Sequence, residues 1–207
     1  MFLRRTLIFL LFAGLTSLPL SSQVRFVVKT GATAQLTPVY DMNYGTIRIE
    51  PEHTGGLGVH AGLSVYIGSE PVYVQPEVLF ESVTFQYIVF YRFNRGIVRQ
   101  SINKLYLPLL VGIQFDVMRI FFGPSVVIRT ESPKALVNEA DFSKLYSKTY
   151  LDYQVGFGLD LLKKIDLEVR YRAYLGKHYE GIQTIGYQTI TLNKSNSSIL
   201  LSIGYKF

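Results

Sequence analysis

Residues 105–116, LYLPLLVGIQFD, alternate between an apolar phase and a smaller or more polar one, and this alternation constrains the fold more than any other feature. The apolar phase consists of Leu105, Leu107, Leu109, Val111, Ile113 and Phe115. The other phase consists of Tyr106, Pro108, Leu110, Gly112, Gln114 and Asp116. A period of two predicts a β-strand, because successive side chains of a strand point to opposite faces. An apolar outer face with a small or polar inner face is typical of a membrane-spanning β-barrel.

The first 22 residues predict export from the cytoplasm. Arg4 and Arg5 form a positively charged start, residues 6–20 are apolar, and Leu20 and Ser22 offer a cleavage site before Gln23. These are the parts of a secretory signal peptide. A membrane anchor is the alternative, but the apolar run is short beside the ~20 residues of a spanning helix. We therefore expect a cleaved signal peptide at 1–22 and one outer-membrane barrel domain at 23–207.

Composition excludes several classes of protein. The chain has no cysteine, so it has no disulfide framework and no thiolate for a metal site or a nucleophile. Removal of Arg4 and Arg5 with the signal peptide lowers the formal net charge from +6 to +4. The remaining basic residues are spread along the chain, which favours contact with lipid phosphates over nucleic-acid binding. We expect no cofactor.

The apolar alternation recurs often enough to predict eight strands. They cover about residues 25–37, 55–68, 72–91, 119–130, 150–162, 166–176 and 198–207, with a further strand ending near residue 116. Their connections alternate between tight turns and long polar loops, with 92–97 as a short exception. Bacterial barrels have short periplasmic turns and longer outer loops, and closure leaves no unpaired edge in lipid. The sequence therefore predicts an all-β, eight-stranded antiparallel transmembrane barrel with both termini on the periplasmic side.

Prolines and tyrosines give two further expectations about the barrel wall. Pro76, Pro108 and Pro124 fall inside predicted strands, where each removes a ladder donor, so we expect β-bulges there. The chain has no Trp for an aromatic rim. We expect one rim to be supplied by Tyr87, Tyr91, Tyr150 and Tyr153.

The inward phase carries charge on two strands that should face each other across the lumen. Glu77 and Glu81 lie on the third strand, and Glu168, Arg170 and Arg172 lie on the seventh. An eight-stranded interior is just filled by side chains, so these residues predict a packed plug of bidentate carboxylate–guanidinium pairs. A gated or proton-coupled path is the alternative. The other charges assigned to the inward phase are Lys104, Asp116, Arg119, Asp152, Asp160 and Lys206.

The three histidines are the candidates for catalytic residues if the protein is an enzyme. His60 falls on the inward phase and is expected to be a hydrogen-bonded lumen residue. His53 and His178 fall in outer loops, where a lipid-modifying site could form. No spacing identifies a catalytic triad or a metal site. We therefore predict no catalytic residue and no metal ligand, and we interpret Gly156 and Gly158 as small inward residues.

Four segments together resemble the small outer-membrane β-barrel proteins of Bacteroidetes that are called PorT-like. They are VQPEVLFE at 74–81, LYLPLLVGIQF followed by FFGPSV at 105–126, residues 153–176, and the ending ILLSIGYKF at 199–207. The resemblance implies an eight-stranded barrel located in the cell outer membrane. Because some members are linked to protein secretion, it also implies possible contact with secretion-apparatus proteins. The terminal Phe207 resembles the signal read by the barrel-assembly machinery, which would act during insertion.

These observations favour a plugged barrel that works through interaction, as a structural or accessory component, and the resemblance implies that this component serves protein secretion. A lipid-modifying enzyme with its site in the outer loops and a narrow channel are the alternatives.

Overall fold

The structure, a computed structural model, describes residues 23–36, 42–44, 47–51, 55–91, 94–129, 149–161, 164–174, 182–185, 188–191 and 197–207. These residues form twelve strands. The strands are β1 (Gln23–Gln35), β2 (Met42–Tyr44), β3 (Ile47–Pro51), β4 (Leu57–Ser69), β5 (Val72–Tyr91), β6 (Asn94–Phe115), β7 (Met118–Arg129), β8 (Thr149–Leu161), β9 (Ile165–Tyr174), β10 (Ile182–Ile185), β11 (Gln188–Thr191) and β12 (Ser197–Lys206). No helix among the described residues has the length and apolar character needed to cross a membrane.

Eight of the strands close into an antiparallel barrel in the order β1, β4, β5, β6, β7, β8, β9, β12, with β12 pairing back to β1. The ladder partners taken once around this ring are Val24, Ile67, Val74, Val111, Phe122, Val155, Tyr171, Ile199 and Ala34. The path returns to β1 ten residues beyond its start. A stagger of this size over eight strands tilts them by about 40° from the barrel axis. The predicted fold class is confirmed.

The outer surface of the barrel is an apolar belt. Large exposed side chains occur on every barrel strand, among them Phe26, Leu63, Val78, Leu109, Phe122, Val155, Val169 and Leu201. On β6, the ten residues between Phe115 and Leu105 rise by about 25 Å at this tilt, which is the height of the apolar band of outer-membrane barrels. Charged side chains occupy the opposite face of the strands, inside the barrel. The predicted strand phases are confirmed. Apolar side chains on the outer surface and charged side chains inside are the arrangement of a transmembrane barrel.

The two ends of the barrel differ in their connections. The short-turn end holds the start of β1, the end of β12, the turns at 70–71 and 116–117, and the facing ends of β8 and β9. The opposite, long-loop end holds the β5–β6 hairpin, with β3 paired to β5 and β11 in contact with β2. The described parts of the predicted loops at 38–54 and 177–197 thus include strands, β2–β3 in the first and β10–β11 in the second. Most of the predicted loop at 131–149 lies outside the described residues, as does the predicted signal peptide.

The predicted proline bulges are wrong. The β5–β6 ladder keeps one register from Val72 opposite Ile113 to Tyr91 opposite Asn94, past Pro76. The ladders around Pro108 and Pro124 also continue in register. A bulge needs an extra residue in one strand. A proline removes a single donor and adds no residue, so the pairing resumes unchanged on its far side.

Two predicted side-chain positions are also wrong. Asp116 is exposed in the β6–β7 turn with a φ of 54°, and therefore lies outside the lumen. Tyr150 shares the phase of Asp152 and is buried inside, so it forms no part of an aromatic rim. Tyr153 is exposed on the outer face as predicted, whereas the predicted side-chain positions of Tyr87 and Tyr91 lie outside what the structure describes.

Candidate functional site

Acidic and basic residues are balanced in the lumen. Among the described residues, six acids and six bases are buried. Charges removed from water are tolerated when each has a partner of opposite sign and hydrogen bonds to its remaining polar atoms. The twelve residues are Lys29, Glu77, Glu81, Lys104, Arg119, Asp152, Asp160, Asp166, Glu168, Arg170, Arg172 and Lys206.

The central cluster consists of Lys29, Glu77, Glu168 and Arg170. Arg170 of β9 reaches across the lumen to Glu77 of β5, with Nη1 2.5 Å from Oε2 and Nη2 2.7 Å from Oε1. Its Nε also donates to Glu168 Oε2 at 2.9 Å. From β1, Lys29 Nζ lies 2.9 Å from Glu77 Oε1 and 2.7 Å from Glu168 Oε1. Each charge therefore contacts both opposite charges, and the cluster ties together three separate parts of the wall.

The lower cluster continues this network towards the short-turn end. Arg119 Nε lies 2.8 Å from Asp160 Oδ1, and its Nη2 contacts Asp166. Lys206 pairs with Asp160. The hydroxyl of Tyr66 lies within hydrogen-bond distance of Asp166 at 2.8 Å, and also accepts from Arg119. The guanidinium of Arg119 lies 4.7 Å from the Tyr66 ring centre, a distance suited to a cation–π contact.

The upper cluster, towards the long-loop end, is built around Arg172, which pairs closely with Glu81 and whose Nε lies 3.8 Å from Asp152 Oδ2. Arg172 Nη2 donates to Glu81 Oε2 at 2.7 Å, and Arg172 Nε donates to Ser198 Oγ at 3.0 Å. Tyr106 donates its hydroxyl proton to Glu81 Oε1 at 3.0 Å. The Arg172 guanidinium also lies 3.9 Å from the Tyr106 ring centre. Neutral groups therefore supply much of the hydrogen bonding that charges supply in the central cluster.

A directional chain of hydrogen bonds runs beside the upper ion pair. Thr33 donates to Glu81 Oε2 at 3.1 Å and lies 3.0 Å from His60 Nδ1, while His60 Nε2 lies 2.8 Å from Ser202 Oγ. Since the Thr33 proton is directed to the carboxylate, its oxygen accepts from His60 Nδ1–H. Nε2 of the neutral ring then accepts from Ser202. This Ser–His pair is enclosed, with His60 2 % and Ser202 9 % exposed.

Glycines make room for the largest lumen side chains. Gly112 is the direct partner of Tyr73, and Gly158 is the direct partner of Arg119. A Cβ at Gly112 would lie 2.3 Å from the Tyr73 ring, and one at Gly158 would lie 2.9 Å from Arg119 Nη2. The large side chain lies flat over its glycine partner in both pairs. Gly112 and Gly158 therefore leave the space that the large inward side chains of Tyr73 and Arg119 occupy.

The lumen contains two small cavities, one near each end of the barrel. The upper cavity has a volume of about 10 Å³ and lies among Lys104, Tyr106, Asp152 and Arg172. The lower cavity, also about 10 Å³, lies among Arg25, Tyr66, Tyr73 and Gln114. Each holds about one water molecule. The upper and lower clusters each line one cavity, and the central cluster lies between them.

The structure places all five residues of the predicted charge network in the lumen and brings them together, with β5 and β9 on opposite sides of the barrel. Sequence reasoning missed Lys29, Tyr66 and Asp166. Lys29 shares a phase with Gly31, Thr33 and Gln35, and that alternation would have identified it. His53 and His178 lie outside the described residues. Among the described residues, no group of three His, Cys, Asp or Glu side chains could hold a metal ion.

Comparison with known proteins finds similar structures but no similar sequences. No family model and no curated protein matches the chain. Neisserial surface protein A is similar in structure, at 12 % identity, over 88 % of this chain and 97 % of its own, with a TM-score of 0.46. OprG from Pseudomonas aeruginosa matches at 13 % identity over 88 % of this chain and 95 % of its own, with a TM-score of 0.44. The outer membrane protein AlkL matches at 16 % identity over 89 % and 90 %, with a TM-score of 0.49.

At such low identity these likenesses concern the fold alone. The closed ring of eight antiparallel strands and the lipid-facing belt of this chain independently define an outer-membrane type of barrel. The protein is a small outer-membrane β-barrel.

Proposed function

We propose that this barrel does not conduct and that it serves as a structural or accessory interaction protein of the outer membrane. The observation that carries the proposal is the balanced lumen, in which six buried acids meet six buried bases. An ion crossing the barrel would have to separate Arg170 from both Glu77 and Glu168. Separating buried partners leaves uncompensated charge, at a cost of several kcal/mol per ion.

Conductance in planar lipid bilayers tests this proposal. We expect no channel activity from the wild-type protein and none from Arg170→Ala, because the neighbouring side chains still fill the lumen. Lys164→Ala, in the exposed turn before β9, is the matched control for loss of one positive charge. Steady conductance from the wild-type protein would contradict the proposal.

A narrow, gated path is the second candidate, and the two end cavities favour it. Arg172 Nη1 and Gln35 Oε1 at the upper cavity, with Arg25 Nε and Tyr73 OH at the lower one, have no hydrogen-bond partner among the described residues. Water entering from both ends would satisfy these atoms. For such a path, Arg170→Ala opens the barrel while Lys164→Ala does not, so the same recording separates the two candidates.

The role we propose is non-enzymatic. The Ser202–His60 pair has the spacing of a nucleophile and its base, but it is buried among the side chains that fill the lumen. Purified protein incubated with phospholipid or lipopolysaccharide should release no product. Release of fatty acid or of a modified glycolipid would favour a lipid-modifying site in the outer loops.

We also propose partners of two kinds besides the surrounding outer-membrane lipids. The barrel-assembly machinery would read the C-terminal residues, since Tyr205 and Phe207 are exposed and pack edge to face at 5.1 Å. Secretion-apparatus proteins are the other candidates, by the PorT-like resemblance. Gentle crosslinking in native membranes followed by purification tests both. Recovery of secretion components with the wild-type protein supports the second, and their absence removes it.

A further inference from the structure

The β5–β6 hairpin extends beyond the rest of the barrel at the long-loop end. Pairing of β4 with β5 ends at Thr84, and pairing of β6 with β7 ends at Lys104. The β5–β6 ladder continues to Tyr91 opposite Asn94. We call this part, residues 84–91 and 94–103, the extension. Its far tip therefore stands well above the lipid-facing belt.

The extension continues the same outward phase that faces lipid below it. On β6 this phase carries Arg95, Ile97, Arg99 and Ser101, all exposed. Arg99 is the partner of Gln86, and Arg95 is the partner of Phe90. The outward face therefore presents two arginines with apolar side chains between them.

The height of Arg95 and Arg99 above the apolar belt limits which lipids can contact them. The belt ends at Leu105 opposite Phe80. At about 2.5 Å of height per tilted residue, Arg99 lies about 15 Å and Arg95 about 25 Å above that pair. A phospholipid headgroup layer is only about 5–7 Å thick. Among lipids, therefore, one with an extended saccharide headgroup is needed to reach both positions.

Charge favours an anionic headgroup. The described outward side chains of the extension include two guanidinium groups and no carboxylate. Along the other edge of β5, β3 pairs one residue of each charge sign, Arg48 opposite Phe90 and Glu50 opposite Ile88. A guanidinium fork matches a phosphate or carboxylate group in bidentate fashion. The apolar residues Ile97 and Phe90 suit the C–H faces of sugar rings.

We propose that the outward face of the extension binds the anionic saccharide headgroup of an outer-leaflet glycolipid, with Arg95 and Arg99 holding its phosphate or carboxylate groups. The site does not involve the lumen, so it stands whether or not the barrel conducts.

Glycolipid titration followed by native mass spectrometry tests the proposal. The probes are lipopolysaccharide with a phosphorylated core, the same material after dephosphorylation, and phosphatidylglycerol. We expect the wild-type protein to bind the phosphorylated glycolipid most tightly, and the double variant Arg95→Gln with Arg99→Gln to lose affinity by about tenfold or more. Lys164→Gln, at the short-turn end, is the matched control and should bind as the wild type does.

Two further measurements keep the test decisive. Heat-modifiable gel mobility checks that each variant is folded, and Arg95→Lys with Arg99→Lys should retain part of the affinity because charge is kept and only the fork is lost. Equal binding of the phosphorylated glycolipid by the wild type and the glutamine variant would overturn the proposal. So would equal losses for phosphatidylglycerol and glycolipid, since those would show a general charge effect. Loss of a co-purifying protein with glycolipid binding unchanged would reassign this face to a protein partner.

Discussion

The central and upper clusters of the lumen solve the same problem of buried charge in different ways. In the central cluster, Arg170 and Lys29 each contact both Glu77 and Glu168. In the upper cluster, Arg172 pairs closely with Glu81 and more distantly with Asp152, and hydroxyl groups supply the other hydrogen bonds of Glu81 and Arg172. The central charges therefore depend on one another, whereas the upper pair is supported by neutral groups that keep their positions when one charge is removed.

This difference has an energetic consequence. A buried ion pair often adds little net stability, but removal of one partner leaves the other charge buried without compensation. The cost depends on which donors or acceptors remain. Glu77 and Glu168 lie close enough to share both bases, so loss of one base increases the repulsion between the two carboxylates. Glu81 keeps the hydroxyl donors of Tyr106 and Thr33 in any case.

The largest effect is expected at Arg170. Arg170→Ala leaves Glu77 and Glu168 with Lys29 as their common base, and should lower the free energy of unfolding by about 3–5 kcal/mol. The double change Arg170→Ala with Glu77→Ala restores the balance and should be less destabilising than the single one. Urea unfolding in lipid bilayers measures both. Small and additive effects would show that the two side chains do not depend on each other, and the distinction between the clusters would fail.

A smaller effect is expected at Arg172. Arg172→Ala should lower the free energy of unfolding by about 2–3 kcal/mol, because two hydroxyl donors still bind Glu81. The coupling to Glu81→Ala should be weaker than that between Arg170 and Glu77. The same double-mutant cycle provides the measurement. If coupling in the upper cluster equals that in the central one, the hydroxyl groups do not compensate and both clusters are alike.

Alternation along the chain was enough to predict the eight strands, their phases and the meeting of Glu77 with Arg170. A period of two determines which face each residue occupies, and strand order in an up-and-down barrel follows the chain. The same argument could not give the stagger of ten residues, which sets the height at which residues of different strands meet. Alternation could therefore assign Lys29 to the inward phase, but only the stagger places it level with Glu77 and Glu168 as the second base of the central cluster.

The wrong predictions share a local cause. Pro76, Pro108 and Pro124 were expected to disturb the ladder, but each lies among well-paired neighbours that hold the register. Asp116 was assigned to the lumen by continuing the strand phase one residue too far, into a turn. Tyr150 was assigned to the rim by residue type although its phase pointed inward. Phase is the stronger signal as long as the strand lasts.

Gly158→Ala tests whether the lower cluster is as tightly packed as the central one. A Cβ at this position lies 2.9 Å from Arg119 Nη2, which must shift and weaken its contacts with Asp160 and Asp166. We expect a loss of about 1–3 kcal/mol, typical of overpacking. Unfolding in bilayers measures it, with Ala61→Gly on the lipid-facing side of β4 as the control for an alanine–glycine exchange. An unchanged free energy of unfolding would mean that Arg119 moves freely, and that the lower cluster is loosely packed.

The smallest effect concerns the hydrogen-bond chain beside the upper pair, and it probes the proton positions directly. With Thr33 donating to Glu81, His60 should be neutral with its proton on Nδ1, because among the described residues the six buried acids are already matched by six buried bases. Nitrogen NMR of the histidine ring identifies the protonated nitrogen, and His60→Gln assigns the signal.

Ser202→Ala removes only the donor to Nε2, so it should cost about 1 kcal/mol and shift the Nε2 resonance while Nδ1 stays protonated. Thr33→Val removes the acceptor of the Nδ1 proton and a donor to Glu81 together, so its cost should be larger. A ring protonated on Nε2 in the wild-type protein would reverse the chain, make Ser202 the acceptor, and remove Thr33 as one of the two hydroxyl donors to Glu81 that distinguish the upper cluster from the central one.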